Sequence, residues 1–409
     1  MKLKKLFAVM AVAGLAAPGA AMATNGMFAS GYGMAANGMG GASAAMAEDS
    51  MGGANNPASM VFVGNRMDLG AYLFSPQRQA SVGGQNENSD SNYFVIPEFG
   101  YNKLITSDLS LGVSVYGNGG MNTNYAPNAQ GVNIFGGAGN LGVNLQQMII
   151  APTLSYKIND RNSVGISPLI GYERFSAQGL QGFDQPGMSA NPSRMTNTGN
   201  DSAFGGGVRI GYMGKITQDL TFGADYSSKV SFAKMGKYAG LFAGAGSLDL
   251  PENFSVGLAY KVQPALTVAL DYERINYSGV AAIGDQMNTG TQFGSAYGPG
   301  FGWQDINVWK LGAEYQYNEH WILRTGWNHG DDPITATNIG INVLAPGVIT
   351  DHFTMGTSYL TGNGEWNVAY THGFNSSMSG SMQVAPGVMA PASVSMHQDI
   401  VGVSYAWKL

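Results

Sequence analysis

The amino-acid sequence predicts an all-β protein, a transmembrane antiparallel β-barrel of about 14 strands. Three observations support this class. Charged residues make up 11% of the 409 residues, whereas soluble domains carry about 25%, and glycine, with 60 residues, is about twice as common as usual. Many segments alternate apolar and polar residues with a period of two, as strands between lipid and lumen do. After residue 23, no apolar run reaches the ~18 residues of a membrane-spanning helix.

The first 23 residues have the features of a secretory signal peptide. Lys2, Lys4 and Lys5 begin the chain, and an apolar run over residues 6–17 follows. The small residues around Ala23 suit a signal peptidase, so we expect cleavage after Ala23. The mature chain is then expected in the bacterial outer membrane as a multi-pass barrel.

The composition excludes several kinds of partner and site. Loss of the three signal-peptide lysines lowers the formal net charge below −6, and so acidic a chain repels nucleic acid. The sequence contains no cysteine, which excludes disulfides and thiolate metal sites. Hydrogen bonds and burial therefore have to stabilise the fold.

The alternation is clearest in residues 253–262. Their apolar members fall on one face, which suits lipid, and the smaller or polar members fall on the other, which suits a lumen. The lipid-facing residues are Phe254, Val256, Leu258, Tyr260 and Val262. Because a soluble β-sandwich alternates too, the connections have to decide between the two classes.

Short polar turns alternate along the chain with long connections rich in Gly, Asn, Ala and Pro. This order is typical of outer-membrane barrels, which have short periplasmic turns and long outer loops. Both termini then face the periplasm, which requires an even strand number and gives seven outer loops. The predicted strands cover residues 61–75, 91–103, 109–118, 144–158, 162–177, 202–215, 219–232, 252–262, 265–277, 304–317, 320–329, 350–360, 364–375 and 396–408.

Aromatic residues recur near the predicted strand ends, as in the belts that anchor barrels at the membrane interfaces. They are Trp309, Tyr315, Tyr317, Trp321, Trp327, Trp366 and Tyr370. The final segment, residues 400–409, is also aromatic-rich and alternates, which suits a last strand that closes the barrel against the first.

Residues 24–60 precede the first predicted strand and show no sustained alternation. Gly31-x-Gly33-x-x-Ala36 fits a dinucleotide-binding fingerprint, but that motif needs a buried strand before it, and the cleavage site stands there instead. The segment is too rich in Gly and Ala to fold alone. Two interpretations remain, a plug inside the lumen or an exposed periplasmic tail.

This segment resembles the N-terminal hatch of the FadL family of outer-membrane transporters for long-chain fatty acids and other hydrophobic compounds. The matching residues are Gly38, Met39, Gly40, Gly41, Ala42, Asp49, Asn56, Pro57, Ala58 and Met60. Residues 250–278 and 303–334 resemble the family as well, the second as a late barrel hairpin. The resemblance implies a hatch over 24–60. Together with the signal peptide over 1–23 and the barrel over 61–409 it completes the predicted domain organisation, and we expect a monomer.

The resemblance also implies a route for hydrophobic ligands. A ligand would enter between the third and fourth outer loops, here residues 177–201 and 233–250, and pass to a pocket beside the hatch N-terminus. It would then leave sideways into the membrane where a kinked third strand opens the wall. The ligand-binding residues predicted on this route are Met27, Phe28, Met235, Tyr238, Leu241, Phe242, Lys234 and Lys237.

The fourth outer loop leaves alternatives open. Its apolar side chains either form an exposed contact patch or pack the loop onto the barrel rim. Lys229, Lys234 and Lys237 can attract a ligand carboxylate, contact lipopolysaccharide phosphates or be solvated. The sequence therefore does not distinguish a fatty acid from an uncharged hydrocarbon.

The implied hatch and gate residues are Gly38, Gly40, Gly41, Asp49, Asn56, Pro57, Ala58 and Gly117. Asn56-Pro57-Ala58 is expected to act as a hinge between plug and strand one. Gly117 marks either a bend in the third strand or the start of the next loop. Lumen-facing charges are expected to pair with one another or with the hatch; they are Arg209, Asp225, Asp271, Glu273, Lys310, Glu314 and Arg324.

Two alternatives compete with uptake of hydrophobic molecules. An outer-membrane lipid hydrolase needs a nucleophile beside a base, but the five histidines show no spacing for a triad or a metal, so we expect neither enzyme activity nor a cofactor. A general diffusion porin needs a charged constriction and no plug. We therefore predict facilitated uptake of long-chain fatty acids or hydrocarbons by outer-loop capture, hatch-gated passage and lateral release, in contact with outer-membrane lipid and lipopolysaccharide.

Overall fold

A closed antiparallel β-barrel of fourteen strands forms the protein in the computed structural model, which describes residues 24–287, 290–385 and 387–409. The predicted signal peptide, residues 1–23, lies outside the described residues. The barrel closes because its last strand pairs with its first, from Arg66↔Lys408 to Val82↔Ala392. The predicted fold class is confirmed.

The strands follow one another around the barrel in chain order. They are β1 (Arg66–Val82), β2 (Phe94–Leu104), β3 (Leu109–Asn122), β4 (Gly142–Asn159), β5 (Asn162–Gln178), β6 (Asp201–Lys215), β7 (Leu220–Ser227), β8 (Asn253–Gln263), β9 (Leu266–Ile275), β10 (Ile306–Gln316), β11 (Trp321–Gly330), β12 (Asp351–Leu360), β13 (Gly364–Ala385) and β14 (Val388–Lys408). Two short strands add to the rim. Gln85–Asn88 pairs with β1, and Ser231–Phe232 pairs with β6.

Several predicted strand boundaries are wrong, and two of these differences have identifiable reasons. The first strand begins at Arg66 and not at residue 61, because Pro57–Phe62 forms a 3-10 helix with proline in its first turn. The predicted outer loop over residues 376–395 is instead a hairpin, in which β13 and β14 continue to pair from Ser376↔Met396 to Gln383↔Met389. Small Ser, Gly and Ala residues there make the alternation too weak to recognise in the sequence.

The two faces of the wall follow the predicted alternation. On β8, Phe254 to Tyr260 are exposed at every second position, whereas Gly257 and Ala259 face inward and are buried. Aromatic rings meet at both ends of the strands, with ring-centroid distances of 4.8 Å for Trp366–Tyr405 and 5.0 Å for Tyr272–Trp309. The outer surface therefore carries the apolar band and the aromatic belts of a membrane barrel.

Short helical turns occur in the N-terminal segment and the outer loops. They are Met34–Gly38, Ala243–Gly246, Ala281–Gly284 and Ile339–Asn342, with 3-10 turns at Pro57–Phe62, Gly236–Tyr238, Tyr277–Gly279 and Ala336–Asn338. In the part of the chain that the structure describes, no helix is long and apolar enough to cross a membrane.

The N-terminal segment, residues 24–65, lies inside the barrel and is mostly buried. Its helix Met34–Gly38 contacts β11 to β14, and its 3-10 helix Pro57–Phe62 contacts β3 to β6. The segment therefore reaches from one side of the lumen to the other, which fits the plug interpretation and not that of an exposed tail.

Candidate functional site

Asn56 fixes the end of the N-terminal segment. Its side-chain oxygen caps the 3-10 helix by accepting a hydrogen bond from the Ala58 N–H (3.0 Å). Its Nδ2 donates to the carbonyl oxygens of Ala44 (2.7 Å) and Tyr212 (2.9 Å). Pro57 holds the φ angle of the first helical position. One side chain therefore ties two parts of the segment to the barrel strand β6.

Ala58 provides the second attachment. Its carbonyl oxygen accepts hydrogen bonds from the hydroxyls of Ser155 on β4 (3.1 Å) and Ser163 on β5 (2.8 Å). Gly165 on β5 faces the backbone of Pro57, and a Cβ there would lie within 2.5 Å of the Ala58 nitrogen. The expected hinge at Asn56-Pro57-Ala58 is thus bonded to three strands, and this geometry is that of an anchor.

The predicted hatch glycines meet the opposite wall. Thr354 on β12 donates its hydroxyl proton to the Gly38 carbonyl oxygen (3.0 Å) and accepts from the Gly40 N–H (2.8 Å). Gly40 and Gly41 have φ angles of +68° and +88°, which favour glycine. A Cβ on Gly40 would lie 2.8 Å from the Trp327 carbonyl oxygen. Close backbone contact with the wall explains these glycines.

Charged side chains in the lumen pair as the sequence predicts. The ion pairs are Arg209–Asp225 at 3.2 Å, Lys310–Glu273 at 2.8 Å and Arg324–Glu314 at 2.7 Å. Two of the lumen charges also bind the N-terminal segment. Arg324 contacts Glu48 at 3.1 Å, and Asp271 accepts hydrogen bonds from the N–H groups of Ser43 and Ala44 at 2.7 and 2.8 Å. These charges hold the segment in the lumen.

Asp49 lies in the same network and is half-buried. Its carboxylate accepts the Met51 N–H at 2.9 Å and lies close to Gly33. Burial, together with the nearby Asp68 carboxylate, raises the pKa of Asp49 to about 7. The N-terminal segment therefore contains a group that titrates near neutral pH.

The start of the N-terminal segment is held by Tyr277 of the fifth outer loop, residues 276–305. The Tyr277 hydroxyl donates to the Asn25 carbonyl oxygen (2.5 Å) and accepts from the Met27 N–H (2.8 Å). The Phe28 and Tyr277 rings lie 6.2 Å apart. Met27 and Phe28, two of the predicted ligand-binding residues, are buried here. No sequence motif indicates Tyr277, which reaches Met27 from 250 residues away.

A small apolar cavity adjoins this point and is called the inner cavity. It has about 30 Å³ of free space. Its lining residues are Gly26, Phe74, Arg78, Gly120, Met121, Asn122, Trp303, Ala345, Pro346, Gly347 and Met396. Met27 and Phe28 flank this lining through Gly26 and do not belong to it. Trp303 was not predicted as a site residue. It is a large aromatic residue directly before a predicted strand, and that was the only indication in the sequence that it could line a cavity.

A second apolar cavity, the outer cavity, lies between the outer loops and has about 20 Å³ of free space. Its lining residues are Phe135, Leu180, Phe183, Met195, Leu241, Met287, Phe293, Gly340, Ile341, Leu344 and Met382. Five outer loops and β13 contribute to it. Of the binding residues predicted in the fourth loop, Leu241 lines this cavity.

The structure distinguishes the two alternatives for the apolar side chains of the fourth loop. Met235, Tyr238, Leu241 and Phe242 are all buried. The Phe175 ring on β5 makes edge contacts with Tyr238 and Phe242, each at a centroid distance of 4.7 Å. The loop is thus packed onto the barrel rim, the second of the two alternatives.

The predicted lysines lie at the surface around this packed loop. Lys234 and Lys237 are exposed, and Lys237 Nζ donates to the Asn200 carbonyl oxygen at 2.8 Å. Lys229 pairs with Asp249 at 3.3 Å. None of the three lines the inner or outer cavity in the described residues. Their role in ligand binding stays a prediction.

The sixth outer loop, residues 331–350, separates the two cavities. Ile341 and Leu344 line the outer cavity, whereas residues 345–347 line the inner one. Trp303 Nε1 donates to Asn342 Oδ1 at 2.6 Å. The Tyr125 hydroxyl donates to the Val343 carbonyl oxygen at 3.0 Å. A few hydrogen-bonded loop residues therefore form the partition between the inner and outer cavities.

The third strand is irregular beside the inner cavity. β3 pairs with β4 at Gly117↔Met148 and next at Gly120↔Gln146, so β3 contains one extra residue, a β-bulge. Gly117 therefore lies within the strand and does not begin a loop, in agreement with the predicted bend.

The neighbouring strands separate at the same level. The pairing of β2 with β3 runs from Leu104↔Ser110 to Phe99↔Val115, although β2 continues to Phe94 and β3 to Asn122. Tyr32 of the N-terminal segment lies behind this gap. Its ring is 4.4 Å from that of Tyr116, and its hydroxyl donates to Asn118 Oδ1 at 2.9 Å.

A wider cavity of about 530 Å³ at the outer rim is unsuited to apolar ligands. Most of its lining is amide, hydroxyl or glycine, with Asn124, Asn144, Gln178 and Asn200 among its members. Apolar ligands gain free energy by burying their surface against apolar side chains. The inner and outer cavities are therefore the candidate binding sites.

Known proteins resemble this chain over nearly its whole length. The family model described as outer membrane protein transport protein (OMPP1/FadL/TodX) matches residues 9–379. The Pseudomonas putida toluene transporter TodX has a TM-score of 0.72 at 19% identity, covering 94% of this chain and 100% of its own. A Pseudomonas aeruginosa FadL homologue gives 0.71 at 16%, covering 94% and 99%. The Ralstonia pickettii toluene transporter TbuX gives 0.66 at 18%, covering 92% and 98%. No curated protein matches significantly.

Proposed function

Because the chain belongs to the OMPP1/FadL/TodX family of outer-membrane transport proteins, we propose that it takes up hydrophobic small molecules in three steps. The ligand is captured in the outer cavity, passes the sixth outer loop into the inner cavity, and leaves into the membrane through the gap between β2 and β3. The observation that carries this proposal is the succession of two apolar cavities, the second of which includes Gly120 of the β3 bulge.

Transfer along this route requires side chains to move. Each cavity has about 20 to 30 Å³ of free space, whereas a cavity of ~150 Å³ holds a benzene molecule. Burial of a ligand contributes about 25 cal/mol per Å² of apolar surface, which offsets the displacement of loop side chains. The ligand therefore opens each cavity as it enters, and the resting barrel stays closed to water.

The N-terminal segment acts as a hatch in this proposal. Residues from Gly38 to Ala58 are bonded to the wall on both sides of the lumen, whereas the first residues are held by the Tyr277 hydroxyl. We therefore infer that the start of the segment moves during passage while its later part stays fixed. The domain boundary between hatch and barrel falls at the beginning of β1, Arg66.

The same arrangement supports lateral release. Tyr32 covers the gap between β2 and β3 from inside, and it belongs to the early part of the segment. Movement of that part uncovers the gap and connects the inner cavity to lipid. An apolar ligand gains little by entering the periplasm, because water does not solvate it well.

Two ligand classes suit these cavities. TodX and TbuX are toluene transporters by their descriptions, and another similar structure is described as a FadL homologue. Monoaromatic hydrocarbons and long-chain fatty acids are therefore both candidate ligands of this chain. Contact of Lys234 with lipopolysaccharide and a monomeric state stay predictions.

The proposal is tested by uptake in a bacterial strain that lacks its own transporter of this kind. Cells producing the full chain should accumulate labelled toluene or dodecanoate faster than cells with an empty vector, with no change for a labelled sugar. An equal increase in uptake of the sugar over the empty-vector cells would indicate a general porin. Tyr297, which is 80% exposed in the fifth loop, provides a control substitution, Tyr297→Phe, that should leave all rates unchanged.

A further inference from the structure

Arg78 places a cation in the lining of the inner cavity. It lies on the inward face of β1 and is 6% exposed. Its guanidinium donates from Nη1 to the Asn122 carbonyl oxygen and from Nη2 to the Ser91 carbonyl oxygen. It also lies 5.7 Å from the centroid of the Phe94 ring, a distance at which the ring attracts a cation.

Among the residues that the structure describes, this cation has no counter-charge. In the described residues no carboxylate lies within ion-pair distance of Arg78, and its buried Nε has no hydrogen-bond partner. Arg66, Arg209 and Arg324, the other buried arginines described, each have a carboxylate oxygen at 2.6 to 3.2 Å. A buried charge is unfavourable unless it is paired, so Arg78 is the exception that needs an explanation.

We propose that Arg78 binds the anionic head group of the transported ligand, so that the inner cavity prefers an apolar monocarboxylate to a neutral hydrocarbon of the same shape. This inference rests on the proposed function and specifies its substrate class. The guanidinium keeps unused N–H groups at Nε and on both terminal nitrogens, and such a planar donor set fits a carboxylate. Phe74, Met121, Trp303 and Met396 surround the apolar remainder of the ligand.

A structural role for Arg78 makes a different prediction. If its two hydrogen bonds to carbonyl oxygens merely hold the end of β3 near the chain before β2, its loss would distort the cavity for every ligand. An anion site instead predicts a loss that depends on the charge of the ligand. Ligand pairs that differ in charge alone therefore separate the two roles.

The experiment uses the purified full-length mature protein in detergent at pH 7.5. Dissociation constants are measured for dodecanoate and dodecanol, and for benzoate and benzyl alcohol. Wild type is compared with Arg78→Gln, Arg78→Lys and the control Arg161→Gln, whose side chain is exposed in a periplasmic turn. Arg78→Gln should weaken binding of at least one of the two acids ~10- to 100-fold, as expected for hydrogen bonds to a charged group. The alcohols should change less than about twofold, and Arg78→Lys should keep part of the acid affinity.

Each other outcome overturns the inference. Equal weakening of acids and alcohols would assign Arg78 a structural role, and unchanged acid binding would remove it from the site; the proposed function would survive both results. If wild type bound neither the acids nor the alcohols, the proposed function would fail together with the inference. Should Arg78→Gln not fold, the wild-type preference for each acid over its alcohol decides, and a preference of less than about twofold counts against the anion site.

Discussion

The Ser163 hydroxyl donates a hydrogen bond to the Ala58 carbonyl oxygen at 2.8 Å, across 105 residues of chain. This contact joins the N-terminal segment to the beginning of β5, and a second serine, Ser155, donates to the same oxygen. A carbonyl that accepts two buried hydroxyl protons is held firmly. The segment is therefore part of the folded barrel and moves, in our proposal, only at its beginning.

Asn56→Ala tests the anchor. The substitution removes three hydrogen bonds, two buried ones to Ala44 and Ala58 and a partly buried one to Tyr212, and leaves their partners unsatisfied, which should destabilise the protein by about 2 to 4 kcal/mol. Thermal unfolding of the purified barrel measures the effect. Asn363→Ala, at an exposed position in a periplasmic turn, is the control. An unfolding temperature equal to that of wild type would contradict the anchor.

The pH dependence of stability tests the environment of Asp49. Its pKa in the folded protein is raised to about 7, above that of an exposed aspartate at about 3.9. The folded state therefore binds a proton that the unfolded state has lost, and stability falls as pH rises through the window between these values. Asp49→Asn should match wild type near pH 4 and be the more stable protein at pH 8.5. A variant less stable than wild type at pH 8.5 would show that the carboxylate is needed.

Tyr277→Phe tests the proposed movement of the start of the N-terminal segment. It removes the hydroxyl that binds the backbone of Asn25 and Met27 but keeps the ring contacts with Phe28 and Trp303. Loss of these two bonds destabilises the closed state by about 1 to 3 kcal/mol, so amide hydrogen exchange of residues 25–33 should accelerate. Exchange as slow as in wild type would show that Tyr277 does not hold the segment.

Trp303→Ala tests the inner cavity. The indole lines the cavity and donates to Asn342, so its removal enlarges the space and loosens the partition. The affinity for bulkier aromatic ligands, relative to that for toluene, should rise at least about fivefold over wild type. The reason is that the larger cavity no longer requires side chains to be displaced. Competition binding with the purified protein measures this ratio. Trp366→Ala, at an exposed position on the outer face, should leave the ratio unchanged, and an unchanged ratio in Trp303→Ala would place the binding site elsewhere.

The strand number and the two faces of the wall could be predicted because alternation is a local pattern, as in Phe254 to Tyr260. The hairpin part of β13 and β14, residues 376–395, could not be predicted, because small residues such as Ala392 leave no contrast in hydrophobicity between the two faces. The burial of Phe242 depends on Phe175 from another strand. No local pattern reveals such a contact.

The site was predicted less completely than the fold. The predicted hatch residues Gly40, Asn56 and Ala58 match family motifs and do contact the wall. Tyr277 and Arg78 carry no motif, since their importance arises when distant loops and strands meet the start of the chain. Residue type and face alone place Arg78 among many inward-facing polar residues, and its missing counter-charge is visible only in three dimensions.

The β3 bulge gives the most direct test of lateral release. Deletion of Gly119 removes the one extra residue between Gly117 and Gly120 and should let β3 pair regularly with its neighbours. Deletion of Gly362, in an exposed periplasmic turn, is the matched control. We predict that the protein with the Gly119 deletion still forms a folded barrel, with an unfolding temperature near that of wild type. Cells that produce it should take up labelled toluene and dodecanoate only at the empty-vector rate. Uptake at the wild-type rate through that folded barrel would contradict release through the wall.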